Sequence, residues 1–531
     1  MRTHRPGILL ALLVVAALAL FPARASAAPF LTAADVTAVV QAAANSVSTP
    51  TLVIAVVDRG GEVLAVYHGP TATAADTLPT LFSPAVTADD IAVGLARTGA
   101  FFSNNQAPLS SRTVRFISGI HFPPGFTNTP PAALYGIENT NRGCSFNVAI
   151  AGLPRAKSFT NGAGNCQNGD TAGCGAGIVT GKHDLLDSVA DAVNPGGVPI
   201  FKNGELVGGI GVSGLGVEGD VAEFAAFTGS IAGPGFGPVV PDPGTIFLNG
   251  IQLPFVKFTG RPASVGTGTF VNAAFAAGVG GFTMLPIASP NGAAGAPEGY
   301  LVGPIAGTKL TVLDVQSIID RGRREALQTR AAIRLPLGSP TAMVLAVGDV
   351  DGTLLAVYRM HDATIFSVDV AVTKARNAVY FSSPTRDLRD IRGVPRGTAV
   401  TARTLGFGAM PLYPPGIDNT RPGPFFGNFA QDAANPCTQG FDPNNLANQS
   451  GIVFFPGSMP LYRGASGPIV GGLGVSGDGV EQDDFVTAAA VTDLDNPSNA
   501  FAPPLDIRAD RIVIGGVRLP FLKFPRNPEV R

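Results

Sequence analysis

Apolar and polar positions run through the same order of elements twice along this chain. Thr32, with Asp35 three residues on, reads as a helix N-cap with a near capping box, and Val36, Val39, Val40 and Ala43 then fall on one helical face. Thr311 and Asp314 repeat the signal ahead of the stripe Val315, Ile318, Ile319 and Gly322. Leu52 to Val57 is continuously apolar, the pattern of a central strand with both faces covered. Gly60-Gly61 and Asp351-Gly352 are tight-turn dipeptides, after which Glu62–Tyr67 and Thr353–Tyr358 return as hairpin partners. The spacing predicts a second helix over Asp90–Ser103 and again over Asp369–Ser382. A divergent stretch rich in Pro, Asn and Gly follows each. A second hairpin then runs from Val198-Pro199-Ile200-Phe201 into Gly208-Gly209-Ile210-Gly211-Val212-Ser213-Gly214. Its counterpart runs from Met459-Pro460-Leu461-Tyr462 into Gly471-Gly472-Leu473-Gly474-Val475-Ser476-Gly477. A last helix begins near Asp220 or Asp483, and each copy closes in a short hairpin-like tail about Gly250 or Gly515-Gly516.

The tails match as well, Leu253-Pro254-Phe255-Val256-Lys257-Phe258 against Leu519-Pro520-Phe521-Leu522-Lys523-Phe524. One fold has been duplicated. Antiparallel hairpins with helices packed on them make each copy an α+β domain, not a doubly wound one. The expected organisation is a leader over 1–27, a first domain over 28–259, a linker rich in Gly, Ala and Pro over 260–305, and a second domain over 306–531.

Composition sharpens this picture in three ways. With 67 Gly and 45 Pro among 531 residues, much of the chain must be turn and loop, while 45% hydrophobic and 14% charged residues describe a folded protein with a sparsely charged surface. Arg2, His4 and Arg5 precede an apolar run from Ile8 to Phe21, and Ala25-Ser26-Ala27 offers small residues for cleavage, so a secretory signal and a secreted or periplasmic location are expected, with an uncleaved anchor as the alternative. No other segment is long and apolar enough to span a membrane. Cleavage after Ala27 would remove three arginines and no acid, moving the net charge from -2 to -5, which argues against nucleic acid as a partner. An exported chain meets oxidising conditions, so Cys144, Cys166, Cys174 and Cys437 are candidates for disulfides. Cys166 with Cys174 is the favoured pair by proximity; Cys144 and Cys437 follow matched segments and would bridge the copies or stay unpaired. Their spacing fits no zinc site.

Candidate chemistry is sparse. Gly209-x-Gly211-x-x-Gly214 and Gly472-x-Gly474-x-x-Gly477 match a dinucleotide fingerprint in form only, because each ends a hairpin instead of opening a βαβ unit. A Gly-rich strand also allows another backbone or a flat ligand to approach closely, and packing is the favoured reading. Ser213 and Ser476 are not in a nucleophile elbow. Asp89-Asp90 and Asp483-Asp484 read as charges at helix N-termini rather than acid/base pairs. Asn165–Asp170 has oxygen ligands without calcium-loop spacing. No specific reaction is indicated, and no metal centre.

The run Val-Val-Asp-x-Gly-Gly, the Lys-Ala-Arg helix ending near Phe-x-x-Pro-Thr, the Pro-Ile/Leu hairpin and Gly-Gly-x-Gly-Val-Ser-Gly together resemble the GlcG/HbpS-like haem-binding family. The second copy keeps the pattern more fully, with Arg359 and Asp362 after its hairpin, Lys374-Ala375-Arg376 on its helix, and Phe381-Ser382-Ser383-Pro384-Thr385. In the first copy His68 replaces the arginine, Leu95 the lysine, and Asn104-Asn105-Gln106 stands in place of Pro-Thr. The resemblance implies a profilin-like antiparallel sheet flanked by helices, frequent oligomerisation, and haem or another flat anion as ligand. Haem needs an apolar slot, an axial ligand and cations for its propionates. The candidates are Tyr358 and His361 as ligands, Arg359, Asp362, Lys374 and Arg376 as polar contacts, and Ser476 on the Gly-rich strand. A solvated helix face is the alternative for Lys374 and Arg376, and an exposed loop for His361. The expected function is an exported binding protein. An enzyme or enzyme accessory for a small anion, and an interaction module without a ligand, stand as alternatives.

Overall fold

The computed structural model describes residues 28–530 except 74–75, 79–85, 138–139, 142–143, 147, 149, 151–193, 238–244, 276–284, 291, 293–295, 435–436, 439, 443, 445–449, 465–466 and 494–499. The leader, Cys166, Cys174, His183 and the Asn165–Asp170 loop lie outside the described residues.

The first copy contains α1 (Ala33–Ser46), β1 (Val53–Asp58), β2 (Val63–His68), a two-residue ladder of β3 (Thr77–Leu78) with β4 (Val86–Thr87), α2 (Ala88–Phe102), α3 (Ser111–Ile117), β5 (Gly197–Lys202), β6 (Glu205–Ser213), α4 (Gly219–Ser230) and the tail hairpin β7 (Phe247–Leu248) with β8 (Ile251–Gln252). Next comes β9 (Gly299–Val302). The second copy repeats the plan with α5 (Val312–Gln328), β10 (Val344–Gly348), β11 (Leu354–Arg359), α6 (Phe366–Ser382), α7 (Ala402–Gly408), α8 (Phe426–Ala434), β12 (Ser458–Tyr462), β13 (Ile469–Ser476), α9 (Val480–Val491) and the tail hairpin β14 (Val513–Ile514) with β15 (Val517–Arg518).

The sheets have the order β2-β1-β6-β5 and β12-β13-β10-β11-β9. They share one register. Val53 lies between His68 and Ser213, and Val344 between Arg359 and Ser476. Even the irregularity in the first hairpin recurs, after Val56 and after Val347. The duplication read from the motifs is therefore a duplication of backbone pairing.

Local chemistry explains the helix starts. Thr32 accepts from Asp35 N at 3.2 Å while Asp35 accepts from Thr32 N at 2.9 Å, and Thr311 with Asp314 does the same at 3.2 and 2.8 Å. Strand alternation explains the layers. In the first copy Ile54 and Val56 face α1 and α4, while Val53, Ala55 and Val57 face α2. Each sheet is thus covered on both sides. The spacing rule places α2 and α6 correctly to within three residues, but not their burial: every residue of α6, and all of α2 except Asp90, is buried. Helices that are apolar on every side need cover on every side. For these two it comes from their own sheet and from the other copy, as the stack of Phe102 on Phe366 shows, with centroids 4.2 Å apart and planes 6° from parallel.

The Gly-rich strands permit the close seating of these helices. A Cβ at Gly209 or Gly211 would run into the carbonyl oxygens of Ala96 and Ala92, and one at Gly472 or Gly474 into those of Ala375 and Ala371. The fingerprint is a packing device.

The connection between the copies lies against both sheets. Phe270 stacks on Tyr67 at 5.4 Å, Ile287 N donates to Leu64 O at 3.0 Å, and 299–302 become the edge strand of the second sheet. One connection therefore covers the β2 edge of one sheet and the β11 edge of the other, a common protection of exposed edges. Cys144 and Cys437 form a disulfide across the copies, joining residues 293 apart in sequence. Replacing both by serine should lower the unfolding free energy by about 2–4 kcal/mol, read from denaturant midpoints without reductant. An unchanged midpoint would mean that the other inter-copy contacts already hold these loops together.

Candidate functional site

Because α6 is interior, the charges it carries must find partners inside the protein. Arg376 donates Nε to Gly352 O at 2.8 Å, Nη1 to Ser145 O at 3.1 Å and Nη2 to Phe146 O at 2.8 Å. Arg97 reaches Gly61 O at 3.0 Å in the first copy. Burial lowers both guanidinium groups to about 10, which leaves them cationic at neutral pH. Each arginine pins the turn of its own hairpin.

Lys374 donates Nζ to Val475 O at 2.8 Å and to Asp483 Oδ2 at 2.9 Å, with the Phe455 ring 5.0 Å away. Beside it, Asp484 pairs with Arg403 and accepts from Lys523 N at 3.0 Å. Burial raises Asp483 to about 7 against the pull of Lys374, and lowers Lys374 itself. The paired aspartates do open a helix, as their spacing suggested, but they are buried and ion-paired.

The first copy keeps the outer pair and drops the inner one. Arg112 meets Glu223 at 2.7 Å and Lys257 N donates to Glu223 at 2.7 Å, matching Arg403, Asp484 and Lys523. Where Lys374 and Asp483 crowd Gly457, Leu95 and Ala222 crowd Gly196. Both charges are absent together, as desolvation demands, since one left alone in the interior would be costly.

Of the remaining expected residues, Arg359, His361 and the Asp362 amide meet at Glu298, while Tyr358 and Ser476 have other partners. Arg359 is fully buried and spends its donors on Ala363 O at 2.9 Å, Ala296 O at 3.1 Å and Pro297 O at 3.0 Å. Burial first, and then Arg59, lowers it to about 9. The His361 side chain is 85% exposed and faces Glu298 at 3.0 Å. Tyr358 meets Tyr300 edge-on at 4.9 Å, with Arg323 4.4 Å from its ring centre. Asp362, at φ 56°, binds Arg334 at 3.1 Å and the amide of Asn105 at 3.1 Å across the junction of the copies. Ser476 donates to Ser367 Oγ at 3.2 Å. The fates weighed for Lys374 and Arg376, a ligand anion or a solvated face, both give way to internal pairing. His361 is the exposed loop histidine. His68 is held by Asp89 at 2.7 Å, and His121 faces Asp418 at 3.1 Å.

The cavity suited to a ligand lies elsewhere, where the copies meet. It holds about 730 Å³. Leu109, Ile117, Leu134 and Leu248 of the first copy face Ile333, Val480 and Phe524 of the second, with Arg330, Lys523 and Arg526 among the lining. Lys523 pairs with Glu481. Arg330 and Arg526 have no ion-pair partner among the described residues. The first turn of α9 forms part of the wall, and its N-cap, Gly479, provides no side-chain cap. Asp478, just before it, accepts from Ala332 N at 2.5 Å and Gly479 N at 2.8 Å. Of these polar groups only Lys523 lies in a doubled motif. Arg330, Asp478 and Arg526 stand outside the repeats, and their proximity depends on how the copies dock.

The family model described as "Haem degrading protein HbpS-like" matches residues 314–492, most of the second copy. No curated protein matches the chain. The crystal structure of a PduOC–heme complex is similar at 22% identity over 34% of this chain and 93% of its own, with a TM-score of 0.22. Klebsiella pneumoniae protein ORFY is similar at 19% identity over 34% of this chain and 86% of its own, TM-score 0.20. A double mutant of HbpS from Streptomyces reticuli is similar at 19% identity over 35% and 86%, TM-score 0.20.

The exchange of the inner ion pair predicts a double-mutant result. Lys374→Leu alone should cost about 3–5 kcal/mol, because it strands Asp483. Lys374→Leu with Asp483→Ala, which recreates the first copy's pair, should recover most of that loss in chemical denaturation. Additive losses would show that the two sites are not interchangeable.

Proposed function

Through its second copy the chain belongs to the GlcG/HbpS-like family, and from that premise we propose that it binds a flat, anionic ligand of the porphyrin class in the cleft between its copies. The observation that carries this reading is the cleft itself. Its volume of about 730 Å³ falls in the range of small-molecule sites, its walls are largely aliphatic, and Arg330 and Arg526 supply unpaired cations for carboxylates. Among the described residues the lining contains no histidine, tyrosine, cysteine or methionine. The lining therefore fits the macrocycle and its carboxylates better than the iron of haem. The reading is one of binding rather than turnover. Export belongs to the same proposal: the leader pattern and the Cys144–Cys437 disulfide both support an oxidising location. Among the described residues no helix is long and apolar enough to cross a membrane.

Titration of the mature protein with haemin and with metal-free protoporphyrin, followed by absorbance and fluorescence, tests this. Both should saturate, with dissociation constants within about tenfold of each other. Arg330→Ala and Arg526→Ala should each weaken binding several-fold, and His361→Ala should leave it unchanged. Haemin binding lost in His361→Ala but intact in Arg526→Ala would move the site to the 358–362 loop. No saturation with either porphyrin would remove the reading altogether.

A further inference from the structure

Lys374 and Asp483 hold a primary amine against a carboxyl group with water excluded from both. Nζ stands 2.9 Å from Oδ2, and the two side chains are 0% and 2% exposed. In the neighbouring pairs, Arg334 with Asp478 and Arg403 with Asp484, the base is a guanidinium, which keeps its proton. An amine gives its proton up when desolvated, and a desolvated neutral lysine is a nucleophile. Burial lowers Lys374 and raises Asp483 to about 7, and the charges of Asp478 and Asp484 raise Asp483 further. Asp483 Oδ1 accepts no hydrogen bond among the described residues, so the carboxyl group is poorly supported as an anion. The Phe455 ring closes one side, 5.0 Å from Nζ. On another side a Cβ at Gly457 would lie 2.7 Å from Nζ and 2.8 Å from Asp483 Cβ, so a glycine is what lets the groups meet.

We propose that these two side chains condense into an amide, an isopeptide cross-link that ties α6 to α9 between residues 109 apart in sequence. One Nζ proton passes to Oδ2, Nζ attacks Cγ, a second proton follows to Oδ2, and the Cγ–Oδ2 bond breaks with release of water. The step needs no oxidant, reductant or co-reactant. Condensation follows folding, because only the folded chain holds the groups in contact and makes their reaction unimolecular. The N–H that remains keeps Val475 O, 2.8 Å from Nζ, as its acceptor. Two buried charges become one neutral amide, which removes the cost of desolvating them. The first copy, with Leu95 and Ala222 at the same place, has no such bond to form.

Mass spectrometry of the mature protein, reduced and denatured, is the test. The intact mass should be one water below that of the sequence, and a tryptic digest should contain a branched peptide joining the Lys374 and Asp483 segments. Lys374→Arg keeps a cation against Asp483 and cannot form the bond, so it should show the full mass and two separate peptides. Lys374→Leu with Asp483→Ala should do the same, and serves if the longer arginine is not accommodated. In the double-mutant cycle on these residues, the bond is the part of the loss that the double variant does not recover. A full mass in the unchanged protein that persists after the folded protein is held for a week would overturn the cross-link. So would a lost water without the branched peptide, or one that survives in either variant.

Discussion

Close seating of one helix on one Gly-rich strand, carried out twice, is the constraint from which the rest of this structure follows. Gly209 and Gly211 let the carbonyls of α2 press against β6, and Gly472 and Gly474 let those of α6 press against β13. A helix drawn so close to its sheet keeps its far side for another surface, and the two copies supply that surface to each other. Phe102 on Phe366, the Asp362 junction and the Cys144–Cys437 bridge then hold what is in effect a dimer within one chain.

Burial on all sides has an electrostatic consequence. Lysine and arginine on α2 or α6 cannot reach water, so each must be neutralised or hydrogen-bonded where it lies. Arg97 and Arg376 solve this with turn carbonyls, and Lys374 with Asp483. The first copy solves the last problem by carrying neither charge, with Leu95 and Ala222 in the same place. Divergence between the copies is coherent at that point: a pair changed as a unit. Similar exchange occurs at Ser111, which accepts from Gly197 N, and Ser458, which accepts from Ala402 N, so that the hydroxyl has moved from one partner to the other.

These internal solutions also determine where a ligand can go. Side chains that the family pattern singles out are largely consumed in building the domain, while Arg330 and Arg526, without ion-pair partners among the described residues, lie at the seam between domains. The cleft depends on both copies: Leu109, Ile117, Leu134 and Leu248 of the first meet the 330–333 segment, the start of α9 and the C-terminal tail of the second.

The sequence by itself determined the duplication, the α+β class, the order of helices and hairpins and most helix starts. All of these rest on interactions within a few residues: capping boxes, turn dipeptides and apolar periodicity. It also indicated that the Gly-rich strand serves packing, since its position in a hairpin rules out a phosphate loop. Only the tertiary structure decided that α6 is interior and not amphipathic, that Lys374 and Arg376 face protein instead of ligand or water, and that the linker protects two sheet edges. Only it brought Arg330, Asp478 and Arg526 to one cleft. The physical reason is the same in each case: these outcomes depend on what lies across the inter-copy contact, and hydrophobic periodicity reports that a face is covered without reporting by what.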